Sequence, residues 1–391
     1  MADLGEAPVY IDITRLVHRM RKGRIPTGVD RVCLAYVGHF HGRAQAMMIH
    51  NGVAVALSVI TSMTLFDTLQ AWAHGQRHGS LAKTVGYMLK LAFRPVKSGS
   101  WVLNMGHSGL DRPSYLAWLR RKKMRLLVMA HDLIPVTHPH FCQLDATQRH
   151  GKRLQVILGQ SAGIVSNSQH TAEALRDYAE NIKMSIPPMA VIPLGTHLRR
   201  SPVSGPEVAP ARPYFVVVGT LEPRKNHAFL LYLWQRMMAE WRWNHIPQLR
   251  IIGQVGWMCG DLLYELQHNE RLKEHVEFLP HCSDAEVLAH LRGAQALLFP
   301  SHAEGFGLPL LEALESGVPV LANPLPVFAE IAGNIPEYLD TDDEAVWLQA
   351  IRDFSERDHE RRQQQLQRIK GFVAPTWSEH FEKFEQFVSL L

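Results

Sequence analysis

At 391 residues the chain exceeds one ordinary domain, and about 150 residues per domain gives two or three units. An apolar fraction of 46% against 20% charged, with nine Trp, supports a large core and excludes disorder as a description of the whole chain. A net charge of only +4 is far short of what dedicated nucleic-acid binding requires, so nucleic acid is excluded as a partner.

The first residues, MADLGE, carry acids where a signal peptide has a basic flank and an apolar run. The longest apolar stretch, 53–60, is interrupted by Ser58 and falls well short of the roughly 20 residues of a spanning helix. Cys33, Cys142, Cys259 and Cys282 are scattered with no CxxC pair, which argues against a disulfide framework or a zinc cluster and fits a reducing cytoplasm. A soluble, cytoplasmic, multi-domain protein is the expectation.

In chain order, strands are expected at 9–13, 101–104, 126–130, 163–167 and 190–192. Gly28, in PTGVDR after a basic stretch, either lets the backbone approach a ligand or simply begins a helix over 29–40. Two basic clusters (Arg19, Arg21, Lys22, Arg24; and Arg120, Arg121, Lys122, Lys123, Arg125) and the apolar-basic segment 84–97 are either a contact for an anionic membrane surface or solvated faces. His138 and His140 have the spacing of a strand face, with no third ligand nearby. Segment 199–213 (RRSPVSGPEVAPARP) holds four prolines, so it is neither helix nor central strand and reads as a domain boundary.

Beyond it, strands at 214–219, 248–253, 276–279, 295–300 and 318–322 alternate with helices at 227–241, 284–293 and 309–316, and 356–368 reads as an exposed helix. Strand–helix alternation implies right-handed crossovers and a parallel, doubly wound sheet. The first half repeats the pattern more loosely. The fold class is therefore α/β, with two doubly wound Rossmann-like domains whose strand ends leave a cleft for ligands.

Two segments carry chemistry. Residues 300–319 (PSHAEGFGLPLLEALESGVP) leave a buried strand, pass through Glu304, Gly305, Phe306 and Gly307, and enter a helix near Leu308. Glycines let amides approach a ligand and the helix start favours anions, while Glu304 and Glu312 reach opposite ends of one ligand. The bland alternative is a capped loop with Glu312 solvated. In 219–227 (GTLEPRKNH), Gly219 and Thr220 end a strand, and Arg224 and Lys225 stand at a helix start as an anion site; the alternative is a solvated charge pair.

Together these segments resemble the two signatures of glycosyltransferase family 4, which has the GT-B fold. The E-x7-E spacing is met by Glu304 and Glu312, and the Arg-Lys pair by Arg224 and Lys225. The likeness is close over 214–350, fair over 126–197 (HDLIP from His131, SNSQHT, VIPLG) and weak before 125. It implies a retaining hexosyltransferase that moves a sugar from a nucleotide-sugar donor to a hydroxyl of a glycan or lipid-linked glycan, without metal or other cofactor. Bacterial surface-polysaccharide mannosyltransferases are the nearest pattern, with GDP-mannose as donor.

The resemblance implies that Arg224 and Lys225 hold the diphosphate, that Glu312 accepts from ribose hydroxyls, and that Glu304 and His131 lie at the reacting sugar. Gly219, Thr220 and the amides around Gly305, Phe306, Gly307 and Leu308 would meet phosphate and sugar. Asp132 is read as structural. The family's Gly-Gly loop after the first strand is missing, and Gly28 is the nearest match. Asp340-Thr-Asp342 falls where the family has an acidic loop and is not read as a metal site. The implied domains are 1–198 on the acceptor side, a linker at 199–213, and 214–391 for the nucleotide sugar, with the last helix returning to the first domain. The alternatives are a nucleotide-sugar epimerase of the same fold or an inactive binding subunit; an oxidoreductase lacks its GxGxxG. A cytoplasmic location, with peripheral contact at the inner membrane face left open, completes the expectation.

Overall fold

A computed structural model of the protein describes residues 8–50, 53–75, 94–196 and 212–391. The Pro-rich segment, apart from its last two residues, and most of 84–97 lie outside the described residues. The chain divides into two units. One comprises Met1–Thr137, Asp145–Gly195 and Pro375–Leu391, and the other His138–Leu144 and Thr196–Ala374.

The first unit is built on seven strands: β1 (Val9–Asp12), β2 (Ala44–His50), β3 (Val53–Ala56), β4 (Trp101–Asn104), β5 (Arg125–Ala130), β6 (Ser161–Ser166) and β7 (Met189–Val191). Their order is β3-β2-β1-β4-β5-β6-β7, parallel except for the antiparallel pair β2–β3. That hairpin is not among the expected strands. In β2, AQAMMIH carries a single β-branched residue and no sustained alternation, and in β3 the Val-Ala run is only four residues long. Gly28 is the first residue of helix Gly28–His39, which Thr27 and Asp30 close with a capping box. Asp30 is buried and also pairs with Arg15 and Arg19, each at 2.6 Å. Arg19 is thus withdrawn from the first basic cluster, and Arg125 from the second, its guanidinium lying 3.7 Å from the Trp101 ring centroid. His138 and His140 flank and enter a 3₁₀ turn (Pro139–Phe141), not a strand.

The second unit carries β8 (Tyr214–Val218), β9 (Gln248–Ile252), β10 (Val276–Leu279), β11 (Leu297–Phe299), β12 (Val320–Ala322) and β13 (Glu337–Tyr338), in the order β10-β9-β8-β11-β12-β13, all parallel. The apolar runs read from the sequence follow from burial on both faces. Tyr214 and Val216 enter one core with Leu297 and Phe299, while Phe215 and Val217 enter the opposite one with Leu249 and Leu298. Helix Asp284–Gly293 is capped by Ser283 with Glu286. The chain builds outward from β8 through β9 to β10, then returns to β11 on the other side of β8. Crossovers therefore diverge between β8 and β11, and the loops at the carboxyl ends of these two strands border an open crevice.

Among the described residues, no helix is long and apolar enough to cross a membrane.

Candidate active site

The crevice is lined by the segment after β8 and the segment after β11. Arg224 and Lys225 do not begin the following helix, as the sequence implied. They sit in a 3₁₀ turn (Pro223–Lys225), and left-handed Asn226 redirects the chain into helix His227–Glu240. From the β11 side, the loop through Ser301 and Glu304 reaches Gly307, whose φ of +108° opens helix Leu308–Glu315. A Cβ at Gly307 would lie 2.9 Å from Phe328, so only glycine makes this entry unstrained.

The two segments meet on one carboxylate. Glu304 is 8% exposed and accepts from Arg224 Nη1 at 2.7 Å, from Ser301 Oγ at 2.8 Å and from Lys225 Nζ. Arg224 also donates to the Ala303 carbonyl at 2.9 Å and pairs with Glu222 at 2.5 Å. The Arg224 carbonyl in turn accepts from the His302 amide at 2.8 Å, so the two loops are joined by backbone as well as charge. The glycine-rich loop after β9 closes a third side. A Cβ on Gly253, at φ +154°, would fall 1.9 Å from the Gly219 carbonyl oxygen, so the loops after β8 and β9 touch with no room for a side chain.

Burial alone would raise the Glu304 carboxyl, but the charges of Arg224 and Lys225 outweigh it and hold the group near 2. Burial lowers the Lys225 ammonium, and the neighbouring Glu304 opposes that shift. The site is thus a buried carboxylate between two cations, aimed at the switch point of the sheet. Such a cluster can exchange its internal partner for an incoming diphosphate. Glu312, on the helix that follows, is 1% exposed, which removes the solvated alternative for this residue. Gly219, Thr220, Gly305, Phe306 and Leu308 lie in the same loops and helix start, where the first N–H groups of a helix have no intrahelical partner. His131 and Gly28 belong to the first unit, His131 directly after β5. Asp132 accepts from the Ile134 amide at 3.1 Å, a local turn contact in keeping with the structural role expected of it.

Sequence reasoning missed Glu222 and Ser301. Both stand inside segments already singled out, two and three residues before a named partner. Only the turn at Pro223 and the curl of the β11 loop bring them back on Arg224 and Glu304, and spacing alone does not reveal that.

Residues 206–370 match the family model described as glycosyl transferases group 1. This part of the chain is a group 1 glycosyltransferase domain. The domain contains Arg224, Lys225, Glu304 and Glu312. Over 241 residues the chain is 32% identical to the serotype-specific mannosyltransferase WbdA of Escherichia coli, which covers 58% of this chain and 29% of that protein. Over 149 residues it is 32% identical to the O-antigen chain mannosyltransferase B of Escherichia coli, covering 37% of this chain and 38% of the relative. The chain thus spans under two fifths of the length of either relative. Among solved structures, Anabaena HepE in complex with UDP and glucose is 14% identical, with a TM-score of 0.64 over 99% of this chain and all of that one. That likeness shows the fold, which is GT-B, with the glycosyltransferase domain as its second half.

Charge and burial in both units set an acid limit on stability. His227, beside the cluster, is held neutral, its value lowered to about 3 by burial and then by Lys225 and Arg224. In the first unit, burial lowers His380 to about 4 and His107 well below its ordinary value. Asp12 acts in the opposite sense, raised by burial to about 7. Below about pH 6.5 the unfolded chain protonates the three imidazoles while the folded chain does not, and Asp12 offsets one of them. Unfolding at pH 5 therefore takes up protons on balance, and the buried imidazoles of His131 and His150, lowered in the same way, add to that uptake, so stability falls as pH drops from 6.5. Below about pH 4.5, protonation of unfolded-state Glu304 adds to the loss. Denaturation midpoints between pH 7.5 and 5 check this, and a midpoint that rises on acidification would contradict it.

Proposed function

We propose that the protein is a retaining glycosyltransferase that moves a hexose from a nucleoside-diphosphate sugar to a hydroxyl of a glycan or lipid-linked glycan in surface-polysaccharide synthesis. The observation that carries this reading is the convergence of Arg224 and Lys225 on Glu304 at the switch point, inside a group 1 glycosyltransferase domain. Mannose is the proposed sugar and GDP-mannose the donor, supported by the mannosyltransferase relatives.

In this reading the bond from the anomeric carbon to the diphosphate breaks, and the acceptor oxygen bonds to the same face of that carbon. The acceptor's proton passes to the departing phosphate. Arg224 and Lys225 stabilise the charge that develops on the leaving group, with preorganisation rather than a protein nucleophile supplying the rate. Glu312 accepts from the ribose hydroxyls. Glu304 and His131 act at the reacting sugar. Two side-chain cations neutralise the diphosphate, so no divalent ion is required.

A thermal-shift panel of nucleotide sugars tests the donor. GDP-mannose at 100 times its dissociation constant stabilises the protein by about 2.7 kcal/mol, and UDP-glucose at the same concentration by less. Transfer continues in EDTA. A larger shift with UDP-sugars moves the donor assignment, activity lost in EDTA and restored by Mg²⁺ overturns metal independence, and turnover without acceptor favours the epimerase.

A further inference from the structure

At the carboxyl end of the first sheet, two neighbouring strands exchange a pair of contacts. His107, in the loop after β4, meets the Met129 carbonyl through Nε2 at 2.5 Å. His131, directly after β5, meets the Met105 carbonyl through Nε2 at 2.6 Å. Each histidine therefore bonds the carbonyl two residues before the other, with the rings 5.4 Å apart. Both are 8% exposed. His107 keeps φ at +59°, a left-handed conformation that a non-glycine residue rarely holds without compensation. The backbone of His131 is fixed as well, its carbonyl accepting from Asn167 Nδ2 at 2.9 Å.

A carbonyl oxygen only accepts, so both Nε2 atoms carry hydrogen. Burial lowers the pKa of each imidazole, so the second ring nitrogen is bare at neutral pH. Among the described residues, Nδ1 of His131 has no hydrogen-bond partner.

We propose that His107 is a positioning residue whose reciprocal hydrogen bonds with the His131 loop fix His131 as the Nε2–H tautomer, so that Nδ1 accepts from a ligand hydroxyl. His131 in this state orients a hydroxyl and is no proton donor to a leaving group. The functional half rests on the reading of the protein as a glycosyltransferase; the tautomer does not.

The first measurement is ¹⁵N NMR of histidine-labelled, ligand-free protein, with the His131 signals identified by their loss in His131→Gln. The expected pattern is protonated Nε2 and bare Nδ1, mixed or reversed in His107→Ala. The second is steady-state kinetics. His107→Ala lowers kcat by about 10²-fold, as a small misplacement of a reacting group does. Donor KM and affinity for bare nucleoside diphosphate stay unchanged. His107→Gln, whose amide can donate to the Met129 carbonyl, restores kcat to within about threefold and covers the case in which the alanine variant does not fold. A His131 protonated on Nδ1, an unaltered tautomer and kcat in His107→Ala, or a His107→Gln variant with neither the wild-type tautomer nor the restored kcat overturns the proposal. If wild-type protein transfers no sugar, the functional reading fails while the NMR result still decides the tautomer.

Discussion

Glu304→Gln is expected to destabilise the second unit by about 3–5 kcal/mol while leaving nucleoside-diphosphate affinity intact. The amide keeps the size of the carboxyl but removes the charge that Arg224 and Lys225 share. Arg224 retains Glu222, whereas Lys225 is left as a buried ammonium, and breaking a buried pair from one side costs about that much. An incoming diphosphate supplies the missing negative charge. Binding is therefore kept, and saturating nucleotide stabilises the variant by as much as it stabilises the wild type. On the role proposed for Glu304 at the reacting sugar, sugar transfer falls as well. Urea unfolding with and without nucleoside diphosphate measures the first effect and calorimetry the second. A variant of normal stability that has lost nucleotide binding would show that Glu304 is a nucleotide ligand and not the counter-ion of the pair.

Lys225→Ala divides the effects the other way. Glu304 keeps Arg224 at 2.7 Å and Ser301 at 2.8 Å, so the carboxylate remains compensated and the stability cost is smaller. In the proposed mechanism what is lost is one preorganised cation at the leaving group, and turnover is expected to fall by about 10² to 10³. Steady-state kinetics beside urea unfolding make the comparison. Normal turnover and normal donor affinity in the variant would remove Lys225 from the site.

The sequence reading succeeded where one physical rule dominates. Strands buried on both faces are apolar almost throughout, which is why the runs read at 101–104 and 214–219 correspond to β4 and β8. It failed at β2, where Ala, Gln and Met carry little strand preference, at β3, whose Val-Ala run is only four residues long, and at β13, which is only two. At the site, the types and spacing of Arg224, Lys225, Glu304 and Glu312 were legible because they fall on the loops, or for Glu312 the helix, that follow recognisable strands. Their mutual ion pairing was not, since 79 residues separate Lys225 from Glu304. Only the strand order, β8 beside β11, makes them neighbours. The bracing of His131 by His107 was hidden for the same reason: β4 and β5 pair in register, and two loops distant in sequence are brought together.

Helix Trp377–Ser389 belongs to the first unit although nearly the whole second unit precedes it in the chain. His380 bonds Tyr36 at 2.9 Å, and Phe381 stacks on His39 with ring centroids 3.8 Å apart. Without that helix, Tyr36 and Phe40, both fully covered when it is in place, face water. On a ribosome adding about 5–20 residues per second, the wait from residue 195 to residue 389 is roughly 10 to 40 s. For that interval the nascent first unit carries an uncovered aromatic seam, and it closes only after the polypeptide between has been made. A truncation at residue 374 would make that exposure permanent.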